Sequence, residues 1–159
     1  MPPADNARVR YIFTYGTLMS TATGNMGAAE RALLDAFAQC LGPVSTRGAM
    51  FRAGACPGVV LGGRPDELVQ GELWHLPDDM PDLLAALDAY EGCAPHCPLP
   101  HPYARQRLRI RTPRGNRVTA WVYVWAKSTE GLVRIADGRW RGPQQAPAAT
   151  LAAAQEVAA

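Results

Sequence analysis

The chain has 159 residues, 48% hydrophobic and 19% charged, enough for one domain with one core and too few for two. Its formal net charge is +2, from 16 basic and 14 acidic residues, too balanced for the clustered basic footprint of a nucleic-acid binder. No segment approaches ~18 consecutive apolar residues, so no transmembrane helix and no membrane partner are expected.

Residues 1–8 read as a loose arm. They and Arg10 carry Asp5, Asn6 and Arg8 without the apolar stretch of a signal peptide, so export is not expected. The four cysteines then predict reduced thiols in a cytoplasmic protein, not a disulfide framework. Residues 9–15 (VRYIFTY) are β-branched and aromatic and stop at Gly16, which predicts a strand running into a turn. A helix is predicted over about 26–40. Thr21 and Thr23 are candidate caps, Leu33, Leu34, Phe37, Ala38 and Leu41 recur at helical spacing, and Gly42-Pro43 follows as the stop.

Between Val44 and Leu76 the chain breaks into β-prone pieces punctuated by Gly and Pro, which predicts two or three strands. Arg64-Pro65-Asp66-Glu67 is the expected turn before VQGELWHL. Residues 78–90 make the strongest helix pattern. Asp78 and Asp79 suit its start, Pro81 its first turn, Leu83, Leu84 and Leu87 its apolar stripe, and Gly92 its end. Residues 92–102 (GCAPHCPLPHP) are too Pro-rich for regular structure. Strands follow at about 103–112 and 118–125, joined by Pro113-Arg114-Gly115-Asn116. The alternating arginines between Arg105 and Arg117 predict a solvated strand face. Residues 131–140 are a last ordered element, and from 142 the composition collapses to Ala, Pro and Gln. Strands that come in runs predict one α+β domain over 9–141 with mostly antiparallel pairing.

Three places carry candidate chemistry. Tyr15-Gly16-Thr17-Leu18 follows a strand, and such a turn can aim successive backbone amides at one anion, although Tyr-Gly after a strand is most often only a turn. Glu91 continues the stripe of Leu83 and Leu87 at i+8 and i+4, which aims it at a core or cleft. It also sits in the last turn, where the helix dipole opposes an anion, with Asp88 three residues away. Each effect raises a carboxyl pKa. A half-exposed glutamate on a frayed helix end is the bland alternative. Cys93, His96, Cys97 and His101 are metal-type side chains in one loop, but their spacing fits no standard zinc site and a plain loop is the commoner outcome. Tyr103, Arg105 and Tyr123 read locally as strand packing. No phosphate loop, G-x-S-x-G elbow or HExxH is present.

Taken in order, FTYGTLM (13–19), GAMF with PGVV (48–51, 57–60), VQGELW (69–74), LLAALDAYEG (83–92), YARQRLRI (103–110), AWVYVW (120–125) and IADGRW (135–140) resemble the gamma-glutamyl cyclotransferase superfamily, particularly its gamma-glutamylamine cyclotransferase-like and bacterial members. The resemblance implies a mixed sheet curled toward a small β-barrel with flanking helices, and a cavity between the YGTL turn and a catalytic glutamate. It implies that Tyr15, Gly16, Thr17 and Leu18 hold the α-carboxylate and amino end of a gamma-glutamyl group. Glu91 becomes the acid/base, and Tyr103 and Tyr123 line the cavity. No metal or organic cofactor is implied. The implied reaction converts a gamma-glutamyl amine or amino acid to 5-oxoproline and a free amine. Removal of a gamma-glutamyl group from a biosynthetic intermediate, or a non-catalytic small-molecule or metal-binding role, are the alternatives. The long 92–102 segment is expected at the cavity mouth, where it would set substrate preference.

Overall fold

The computed structural model describes residues 8–142. The expectations for the N-terminal arm and the Ala-rich tail fall on residues outside that range. In chain order the elements are β1 (Tyr11–Thr14), α1 (Ala28–Phe37), β2 (Gln39–Ala53), β3 (Cys56–Leu61), β4 (Leu68–His75), α2 (Pro81–Glu91), β5 (Tyr103–Arg111), β6 (Arg117–Trp125) and β7 (Val133–Ile135).

The strands form one sheet in the order β3-β2-β4-β1-β6-β5, with β7 on β2. All pairs are antiparallel except β1 beside β6, where Ile12 stands opposite Trp121. The sheet is therefore mixed, and it curls until it is a nearly closed barrel. The two flanks come together where Gly58 of β3 meets Trp125 of β6, leaving only 3.0 Å between the indole and a Cβ placed on the glycine.

Curling gives the sheet two covered faces. Phe13, Met50, Val59, Val69, Leu73 and Val122 fill the barrel. Ile12, Trp74 and Leu76 face outward under Leu34 of α1 and Leu83 and Leu87 of α2. β4 contributes to both sets, and from Val69 to Trp74 only Gln70 is not buried. Each wholly buried Leu or Val contributes roughly 1.5–3 kcal/mol of transfer free energy, so β4 is the strand on which the two cores lean.

The structure moves some sequence-based boundaries. α1 ends at Phe37 because Ala38 is already extended, with φ −125° and ψ 163°. Gln39 to Pro43 belong to β2, paired with β4, and Gly42-Pro43 lies just past a bulge instead of ending a helix. Ladder bonds to a central strand outweigh the modest helix preference of so short a segment. Neither Thr21 nor Thr23 caps α1. Its cap is Gly27, left-handed at φ 75° and without a side-chain cap bond, in a place where a Cβ would lie 2.9 Å from the Tyr90 hydroxyl. α2 begins at Pro81 after Met80, so Asp78 and Asp79 precede the helix. The remaining expectations hold: three strands between Val44 and His75, the turn at 113–116, and Gly92 left-handed at φ 75° ending α2.

Gly71 of β4 is fixed by packing alone. A Cβ there would lie 2.2 Å from the Thr14 carbonyl oxygen and 2.6 Å from the Phe13 ring. Gly71→Ala should therefore cost about 3 kcal/mol in urea unfolding. Gly63→Ala, left-handed but in open space, should cost only about 1 kcal/mol.

Candidate active site

The turn after β1 is closed by the Met19 amide donating to the Gly16 carbonyl at 3.1 Å. The amides of Gly16, Thr17 and Leu18 make no hydrogen bond to any described residue. Gly16 is required by proximity, since a Cβ would meet the Pro57 ring at 2.7 Å. Arg31 of α1 clips the turn from outside: its guanidinium donates to the carbonyl oxygens of Thr17 and Met26, both at 2.8 Å, and of Gly24 at 2.7 Å. Thr17 Oγ1 lies 2.6 Å from the Tyr90 hydroxyl, tying the turn to the last turn of α2.

Glu91 ends that helix. Its stripe position carries it into the same cavity as the turn, a space of about 210 Å³ whose walls also hold Met26, Cys56, Pro57, Tyr90, Tyr103 and Tyr123. Its carboxyl makes no hydrogen bond to any described residue. Burial, and after it the Glu30 carboxylate of α1, push its pKa up to about 8. The direction matches the expectation, but the like charge comes from Glu30 and not Asp88. Asp88 is occupied elsewhere: Arg105 donates to its two oxygens at 2.8 and 3.2 Å and the Tyr123 hydroxyl donates at 2.7 Å. Arg105 in turn stacks on Trp121, 4.2 Å from the ring centroid. This knot pins the end of α2 to β5 and β6.

The tyrosine hydroxyls are all engaged. Tyr15 donates to the Tyr123 carbonyl oxygen, and Tyr103 to the Pro57 carbonyl oxygen at 2.6 Å. Burial raises Tyr15, Tyr103 and Tyr123 well above the ordinary phenol range, and raises Tyr90 to about 12. All four stay neutral near pH 7. Cys56 also faces Glu91, with its Sγ 3.2 Å from Met26 Sδ, and its thiol is raised by burial and then by Glu91.

Tyr15, Gly16, Thr17, Leu18, Glu91, Tyr103 and Tyr123 thus share one cavity. Sequence reasoning missed Arg31, Cys56, Pro57 and Tyr90, and read Arg105 only as strand packing. Tyr90 alone had a local signal, as Glu91's neighbour in the final helical turn. Residues 92–102 do not line the cavity, contrary to the expectation that they form its mouth, because Gly92 turns the chain away and packs on Pro102. Among the described residues no three His, Cys, Asp or Glu side chains converge as metal ligands. His101 instead contacts the Cys97 carbonyl at 3.3 Å.

Known proteins resemble this chain in sequence and in fold. A family model described as gamma-glutamyl cyclotransferase, AIG2-like, matches residues 12–142. Over 130 residues the chain is 35% identical to the gamma-glutamylcyclotransferase family protein ytfP of Citrobacter rodentium (strain ICC168), covering 81% of this chain and 93% of that protein. The solution structure of ytfP from Escherichia coli is 29% identical with a TM-score of 0.55, over 82% of this chain and 95% of the other. YkqA from Bacillus subtilis shares the fold, with a TM-score of 0.58 at 23% identity, and this chain spans 82% of its own length but only 39% of YkqA. With the match running from β1 to the last described residue, the chain belongs to the gamma-glutamyl cyclotransferase, AIG2-like family.

Proposed function

We propose that this protein cyclises the gamma-glutamyl group of a small gamma-glutamyl amine or amino acid, releasing 5-oxoproline and the free amine. One observation carries the reading. A largely buried carboxyl without a hydrogen-bond partner shares a small cavity with three backbone amides that also lack one. An acid/base and an anion cradle side by side are what this intramolecular reaction needs.

The amides of Gly16, Thr17 and Leu18 hold the substrate α-carboxylate, and the aromatic walls fold the glutamyl chain back on itself. Nucleophile and carbonyl then belong to one molecule, and holding the reactive conformer is worth about 7–11 kcal/mol of barrier. The substrate amine, with a pKa near ~8, gives a proton to Glu91 and attacks its own γ-carbonyl. Glu91 then gives that proton to the departing nitrogen and takes the surplus proton from the ring nitrogen as the C–N bond breaks, passing it afterwards to the freed amine. A carboxyl titrating at about 8 is matched to both transfers, because neither direction is steeply uphill. The four free cysteines fit a reducing, cytoplasmic setting.

Glu91→Gln should fold normally and release 5-oxoproline roughly 10²–10⁴-fold more slowly, measured on a panel of gamma-glutamyl amino acids, gamma-glutamyl amines and glutathione. Wild-type turnover by the variant would remove Glu91 from the mechanism, and no release by wild type from any substrate would point to a specialised biosynthetic substrate or to binding alone. The reactive form carries one proton between Glu91 and the substrate amine, so kcat/KM should be bell-shaped with its maximum near pH 8.

The same pKa makes a stability prediction. Its folded value, about 8, lies above the ordinary 4.5, so the native state holds the proton more tightly than the unfolded chain. Glu91 therefore favours folding fully below about pH 4.5, and that contribution is lost as pH rises to about 8. Glu91→Gln should match wild type in chemical denaturation at low pH and become the more stable protein above pH 8, by at most about 5 kcal/mol. A pH-independent difference would show that the carboxyl is not buried.

A further inference from the structure

The β5–β6 hairpin runs away from the Glu91 cavity. Tyr103 begins β5 at the cavity wall, and Arg111 at its other end is eight residues on, roughly 26 Å along an extended strand. At that far end a cleft of about 620 Å³ opens between β5, the terminal strand of the sheet path, and the Pro43–Arg47 part of β2. Arg47, Arg109, Arg111 and Arg117 line it, and no carboxylate does.

The charge pattern there runs against what folding alone favours. Arg111 and Arg117 stand directly opposite each other across the β5–β6 ladder, and a like-charged cross-strand pair is destabilising. The hydrogen bonds of these guanidiniums are to neutral acceptors only. Arg47 donates to the Gly63 carbonyl at 2.6 Å, Arg109 to Thr119 Oγ1 at 3.2 Å, and Arg111 to the Gly115 carbonyl at 3.2 Å. Arg117 has no ion-pair partner among the described residues. Elsewhere Arg8, Arg134 and Arg141 are paired with Asp79, Glu67 and Asp137, and what sets the cleft apart is four arginines together with no carboxylate among its lining residues. Charges placed against local rules without a compensating contact mark a binding surface.

We propose that this cleft binds a polyphosphate chain, either free or carried on a nucleotide. Four guanidinium forks, Arg47 on β2 and Arg109, Arg111 and Arg117 on the β5–β6 hairpin, can each give a phosphate bidentate bonds, and a chain of phosphates carries enough charge to engage more than one of them. Leu61 and Leu108 line the same cleft and give a nucleotide's ring an apolar surface beside the arginines. The protein's net charge of only +2 confines the attraction to this cleft and favours a compact anion over a long nucleic acid. The site is separate from Glu91 and does not depend on the reaction assigned to it.

Calorimetric titration with inorganic tripolyphosphate tests this. Saturable one-site binding is expected, at least tenfold tighter than orthophosphate at matched ionic strength. It should weaken when ionic strength rises from about 0.1 M to about 1 M, where the Debye length falls from ~10 Å to ~3 Å. Arg111→Gln with Arg117→Gln should lose at least tenfold in affinity, Arg47→Gln on the facing wall should weaken binding too, and both should leave the Glu91-dependent activity unchanged. A nucleoside triphosphate that binds tighter than tripolyphosphate identifies the nucleotide as the source, and equal affinity identifies the free chain. The proposal is overturned if tripolyphosphate does not bind or binds no better than orthophosphate, if the Arg111/Arg117 variant binds like wild type, or if a single-stranded oligonucleotide outcompetes tripolyphosphate.

Discussion

A carboxyl group held against apolar walls at the C-terminal end of a helix is a costly arrangement, because water and the helix dipole both draw it outward. Glu91 stays there only while the last turn of α2 is kept from fraying. Leu83, Leu84 and Leu87 anchor the helix on Trp74 and Leu76. Gly92 then closes it, and the Cys93 amide donates to the Asp88 carbonyl at 2.9 Å. The decisive fastening is the side chain of Asp88, three residues before Glu91, clamped by Arg105 and Tyr123. That pair is partly shielded, with side-chain exposures of 25% and 17%, so solvent screens it less than a surface ion pair. Loss of the clamp would let the helix end fray, and Glu91 would recover an ordinary pKa.

The sheet does the corresponding work for the turn. Gly71 lets β1 press onto β4, and Gly16 lets the turn press onto Pro57. Every tyrosine hydroxyl that reaches the cavity is committed to the frame: Tyr15 to β6, Tyr103 to β3, Tyr123 to α2 and Tyr90 to Thr17. The bonds orient the rings and subtract the phenols from the chemistry. Among the described residues, what remains in the cavity without a hydrogen-bond partner is the Glu91 carboxyl and the amides of Gly16, Thr17 and Leu18.

How far this was legible depends on the range of the interaction. Glu91 could be found because its address is local: i, i+4, i+8 on one helix, then glycine. The strands of VQGELWHL and AWVYVW and the turn at 113–116 were equally local. The cavity's other walls are not. Pro57 meets Tyr103 across 46 positions and Tyr15 meets Tyr123 across 108, and no spacing rule connects such pairs. The start of β2 was misread for the same reason, since Gln39 to Pro43 are strand only because β4 lies beside them. Asp88 shows the limit most clearly. Its sequence distance to Glu91 was read correctly, but its electrostatic effect was not, because the cation that absorbs its charge lies on another strand.

β5 shows how one simple pattern is given two meanings by its surroundings. Tyr103, Arg105, Arg107, Arg109 and Arg111 project from the same pleat face, and nothing in RQRLRIR (105–111) distinguishes one arginine from the next. At the Tyr103 end α2 lies over that face and supplies Asp88, so Arg105 becomes a strut behind the cavity wall. At the Arg111 end no helix lies over the strand, and the residue opposite on β6 is another arginine. The same guanidinium that is structural under α2 is left with only neutral partners beyond it. Its charge there is left to solvent and to whatever anion the cleft receives, and the proposed occupant, a linked series of phosphates, is one whose own charges are fixed in a row.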